Sequence, residues 1–175
     1  MASSYSDPLA VSRKVLRLLI KLNVVVGFLI LALLVASLVA PTWVFTALGV
    51  KLTAADTSAF FLGMRLIMVI GIAAVPLAHV VLTRLLAIVD TVKVGDPFVS
   101  ENAARLETMA WAILGMELLH FAVGAIASGV STESQPLDLD WNFSITRWLA
   151  VLLLFVLARV FEQGTRMREE LEGTV

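Results

Sequence analysis

Residues 22–40 read LNVVVGFLILALLVASLVA. This run carries no charge, only Asn23 and Ser37 are polar, and Pro41 closes it. As a helix rising about 1.5 Å per residue it reaches about 28 Å, close to the roughly 30 Å hydrocarbon thickness of a bilayer. Its apolar residues are contiguous rather than alternating, and the run is about twice the length of a membrane-barrel strand. A lone segment in lipid satisfies its backbone only as a helix. The run is too long for the roughly 7–15 apolar residues of a cleaved signal peptide, no Ala-x-Ala site ends it, and Pro41 directly follows Ala40, so it reads as an uncleaved first span.

Three further runs follow: about 60–82 with Arg65, Pro76 and His79 inside it, about 108–130 with Glu117 and His120, and about 145–161 with Arg147 and Arg159 near its ends. Of the 175 residues, 59% are hydrophobic and 15% charged, against about 45–50% and about 25% in soluble domains. The mean hydropathy is +0.94. Such a chain has too little polar side-chain surface to cover a globule in water, and the bilayer is its expected partner. The length suits one domain over 1–175. With no cysteine, disulfides, thiol nucleophiles and thiolate metal sites are excluded, and a net charge of −1 argues against a nucleic-acid binder.

Lysine and arginine near span ends mark the cytoplasmic side. With four spans, the N-terminus, middle loop and tail share one side and hold Arg13, Lys14, Arg17, Lys21, Arg84, Lys93, Arg105, Arg159, Arg166 and Arg168; the other side holds Lys51, Arg65 and Arg147. Both chain ends are therefore expected in the cytoplasm. Trp43, Trp141 and Trp148 fall near outer span ends and Trp111 near an inner one, as interfacial tryptophans do.

The expected cytoplasmic face has three parts. Asp7-Pro8 forms a helix start, with a capping carboxylate before proline at the first helical position. From there Arg13, Arg17 and Lys21 recur every four residues, giving an amphipathic stretch with a basic face toward anionic lipid or an acidic partner. In the loop 84–107 the second span continues as a helix through Val92 and meets the turn Gly95-Asp96-Pro97-Phe98. Ser100 or Asp96 then caps a helix carrying Asn102 and Arg105. The charged tail from Phe161 is too short to fold alone.

Gly95-x-Pro97-Phe98, then Asn102, then Arg105-Leu106 before an apolar span resembles the bacterial membrane family known as domain of unknown function 2975. So does the ending, Val160-Phe161-x-x-Gly164 followed by an acidic stretch closing on Thr174-Val175. The resemblance covers spans two to four and the tail, and by extension the chain. It implies an all-α bundle of four helices in the inner membrane, often encoded beside a small helix-turn-helix regulator. No catalytic residue comes with it.

Charges inside a bilayer are costly and usually paired or functional. Arg65 lies roughly 7 Å below the outer face and Glu117 near the midplane, with His120 a turn further out. Arg65 is expected to pair with Glu117 or His120. The spacing Glu117-x-x-His120 matches half of a di-iron motif, but the second such motif and the further carboxylates are missing, so neither a metal nor another cofactor is expected. No activated nucleophile or convergent acid–base set appears, which argues against an enzyme. The favoured function is partner binding at the cytoplasmic face through Pro97, Phe98, Asn102 and Arg105, with a helix-turn-helix regulator as first candidate. The alternative is a small oligomeric channel or transporter using Glu117 and His120; small residues in span three permit helix contacts within one chain or in a homo-oligomer.

Overall fold

In the computed structural model, residues 8–49, 57–94, 99–131 and 144–172 are described. They form five helices and no strand: α1 (Pro8–Val39), α2 (Pro41–Ala47), α3 (Thr57–Val94), α4 (Ser100–Val130) and α5 (Ile145–Glu172). The protein is all-α, as the contiguous apolar runs require. Helices α1, α3 and α4 hold 32, 38 and 31 residues, or about 48, 57 and 46 Å. Each outruns the hydrocarbon core, so each carries polar turns beyond its apolar segment.

Among the described residues, three segments are long and apolar enough to cross a membrane: Leu9–Val39, Ser58–Lys93 and Ser100–Val130. Helix α5 is not among them; it carries Arg147 in its first turn and a charged run from Arg159 onward. The described surface is inverted relative to a soluble fold. Leu18, Phe28, Leu38, Leu62, Leu118 and Leu153 are all more than half exposed, whereas the buried set is rich in alanine and includes Ser37, Asn102, Glu117 and Thr165. Large apolar side chains point outward where lipid replaces water, and small or polar ones pack inward.

Helix boundaries refine the expected spans. The basic stretch and the first span are one helix starting at Pro8, the expected first helical position; Asp7 lies outside the described residues. The chain leaves that helix at Ala40 and re-enters one at Pro41, so a stretch read as loop contains α2. Proline suits a first helical position because its missing N–H is not needed there. Gly49 follows the end of α2 with φ +82°, the left-handed conformation that glycine adopts without strain, and donates to the Thr46 carbonyl. Helix α3 runs to Val94, confirming its continuation past the second span. Ser100 is the first residue of α4 rather than its cap, with its hydroxyl turned to Glu101, and Val99 holds the preceding position. Asp96, Pro97 and Phe98 lie outside the described residues.

The chain groups into two compact units. Unit 1 holds residues 1–23, 77–115 and 144–175; unit 2 holds 24–76 and 116–143. The division of α3 falls at Pro76, which removes one intrahelical bond from that helix. In unit 2, α2 buries Val44 and Phe45, and the Phe45 ring stacks on Phe61 at 4.7 Å and meets Phe60 edge-on at 6.2 Å. The backbone of α3 at Gly63 approaches α4 so closely that a Cβ would stand 2.7 Å from Val130, and a Cβ at Gly27 of α1 would stand 3.0 Å from Val75. In unit 1, a Cβ at Gly115 would stand 3.2 Å from Leu77.

Candidate functional site

Three polar side chains of unit 1 meet where α3 ends and α4 begins. Thr91, in the last turn of α3, donates its hydroxyl to the Ile88 carbonyl at 2.7 Å and accepts from Asn102 Nδ2 at 2.8 Å. Asn102 Oδ1 in turn accepts from Arg105 Nη1 at 2.7 Å. Asn102 is fully buried, which is tolerable because donor and acceptor ends of its amide are both satisfied. The side chain therefore ties α3 to α4 and presents no surface of its own, while Arg105 remains half-buried beside it.

The basic stretch of α1 divides. Arg13 forms a 2.6 Å ion pair with Asp90 of α3, so its charge is engaged within the unit. Arg17 and Lys21 stay exposed. Asp90 was not singled out by sequence reasoning; a lone carboxylate in the polar extension of α3 was the available signal.

Helices α4 and α5 enclose a groove of about 590 Å³. One end is aromatic, with Trp111 and Phe155 edge-to-face at 5.2 Å. Ala103 and Ala158 leave room along the floor. The other end is charged: Glu162 accepts from Arg159 Nη1 at 2.9 Å through Oε2 and from Arg166 Nη2 at 2.8 Å through Oε1. The hydrogen bond from Arg159, and then the charge of Arg166, hold the Glu162 carboxyl below its usual range. The Arg159–Glu162 pair matches its i, i+3 spacing. The groove as a whole was missed. Its signal lay in two rows at four-residue spacing, Ala103, Glu107, Trp111 on α4 and Ala158, Glu162, Arg166 on α5, and only packing shows that the rows face each other.

Unit 2 holds Ser37, Arg65, Glu117 and His120, whereas His79 and Arg147 belong to unit 1. Arg65 Nη2 donates to the Ser37 carbonyl at 2.6 Å. The reason lies four residues on: Pro41 has no N–H, so the carbonyl that would accept from residue 41 in a continuing helix needs another donor. Arg65 supplies it, with its positive charge at the negative end of the α1 dipole. Ser37 is fully buried and donates its hydroxyl to the Leu34 carbonyl at 2.7 Å. Glu117 is buried at 9% exposure, and His120 is half-buried one turn further along α4.

No curated protein and no solved structure matches the chain. A profile of the family described as protein of unknown function (DUF2975) matches residues 53–175. The match takes in α3, α4, α5 and the polar clamp between α3 and α4, and it leaves α1 and α2 outside. With more than half of its length matched, the chain belongs to the DUF2975 family.

Proposed function

We propose that the protein crosses the bacterial inner membrane four times with both ends in the cytoplasm, and that it acts as a non-enzymatic regulator docking a small helix-turn-helix protein at its cytoplasmic face. The observation that carries the topology is the grouping of segments. Residues 8–23, 84–94, 99–107 and 162–172 all belong to unit 1, whereas residues 41–49, 57–59 and 129–131 belong to unit 2. An even number of crossings returns both ends to one side; three would separate them. The excess of lysine and arginine there supports the cytoplasm as that side. Docking is supported by the exposed Arg17 and Lys21 and by the half-buried Arg105 in the first turns of α4.

The test is affinity purification of the tagged protein from its native membranes after mild crosslinking. A small helix-turn-helix protein is expected in stoichiometric amount, and joint substitution of Pro97, Phe98 and Arg105 should release it with insertion intact. Recovery of the chain alone, or only as a homo-oligomer, would abandon docking for the transport reading, which the buried Glu117 favours. We also propose that Glu117 pairs with Arg65, whose Nε is buried without a hydrogen-bond partner.

A further inference from the structure

We infer that the groove between α4 and α5 is a binding site for one phospholipid with a zwitterionic amino headgroup, phosphatidylethanolamine. The site rests on α5 being the membrane-embedded fourth span proposed above.

The groove has a lipid's own polarity gradient. From the Trp111–Phe155 ring pair, α4 runs back to Ser100 and α5 runs on to Arg166, about 16 Å along either helix. The aromatic end and the alanine floor suit an acyl chain. Trp111 is 59% exposed there, as tryptophan is where apolar and polar layers of a bilayer meet. A volume of about 590 Å³ lies within the usual range for small-ligand sites.

The charged end selects the headgroup. Arg159 and Arg166 each bind Glu162 through one terminal nitrogen and have further donors. Their side chains are 78% and 70% exposed, so both are open to a phosphate from outside. Glu107 stands on the opposite wall and offers a carboxylate to a primary ammonium. Two guanidiniums against two carboxylates balance to zero, which complements a zwitterion better than a lipid of net negative charge. A quaternary ammonium cannot donate a hydrogen bond to Glu107, so phosphatidylcholine is the disfavoured analogue.

The full chain is reconstituted into nanodiscs of equal phosphatidylethanolamine and phosphatidylcholine, and retained lipid is read by native mass spectrometry. Wild type is expected to retain phosphatidylethanolamine about tenfold over phosphatidylcholine, the scale of one charge-assisted hydrogen bond. Glu107→Gln should bring that ratio to about one. Ala104→Phe, which fills the groove from an exposed position, should abolish retention of both. Equal retention by wild type, an unchanged preference in Glu107→Gln, or undiminished binding in Ala104→Phe overturns the assignment. So does preferential retention of phosphatidylglycerol when that is added, which would make the site one for anionic lipid. Thiol labelling reads the topology separately, so failure of the fourth span is distinguishable from failure of the site.

Discussion

Arg65 shows how a costly intramembrane charge is accommodated. Its guanidinium replaces the donor that Pro41 cannot supply to the Ser37 carbonyl. Arg65→Leu is therefore expected to destabilise the protein by about 1–3 kcal/mol, because a buried carbonyl loses its partner; thermal unfolding in detergent measures it. Pro41→Ala restores an N–H four residues beyond Ser37. The same Arg65→Leu change should cost less in that background, and an equal cost in both would remove the capping explanation. A companion cycle with Glu117→Leu measures the proposed pair, where recovery in the double mutant is the expected sign of coupling. Asn102 behaves differently. Asn102→Ala removes the bond to the Thr91 hydroxyl, which keeps its own bond to the Ile88 carbonyl, and takes the acceptor from one Arg105 nitrogen; a loss of about 1–3 kcal/mol is expected in the same assay. The arginine, glutamate and histidine were legible as intramembrane residues because charge stands out in an apolar run. That Arg65 reaches a backbone carbonyl 28 positions away was not legible, because no local pattern encodes it.

At the level of elements, close helix approach limits what α3 can carry. A Cβ at Gly63 meets both methyls and the Cβ of Val130 within 3.1 Å, so rotating the valine cannot relieve the clash. Gly63→Ala should cost about 1–3 kcal/mol as overpacking, whereas Gly129→Ala, with open space around it, should leave the melting temperature unchanged or raised. In α5, Glu162 joins two arginines on successive turns and has a depressed pKa. The sign follows from linkage: its contribution is complete above the ordinary value of 4.5 and is lost as pH falls through the lower folded value. Acidification below about pH 4.5 should therefore lower the melting temperature more in wild type than in Glu162→Gln. Equal acid sensitivity in the two proteins would show that the triad contributes nothing, as exposed pairs often do. Helix existence and type were readable because each apolar run exceeds any strand, but α2 was not. Seven residues are too few to form a helix without tertiary packing, and α2 is held by Phe45 against Phe60 and Phe61.

For the molecule as a whole, the absence of cysteine makes topology directly measurable. Single substitutions Ser100→Cys, Gln163→Cys and Thr46→Cys introduce thiols at exposed positions. An impermeant thiol reagent added outside should label Thr46→Cys alone, and inverted vesicles should reverse the pattern. Labelling of Ser100→Cys and Gln163→Cys from opposite sides would mean that α5 does not cross.

What the amino-acid order determined by itself was the solvent and the class of structure. Uninterrupted apolar runs of bilayer length admit only helices in lipid, and the positions of lysine and arginine set an expected orientation; both properties are local and additive along the chain. Tertiary structure alone decided which polar residues meet. The two four-residue rows of α4 and α5 become a groove, Asn102 becomes a buried tie, Arg13 finds Asp90, and Arg65 completes the end of α1. Each is a contact between residues distant in sequence, fixed by how helices pack rather than by any signal in either segment.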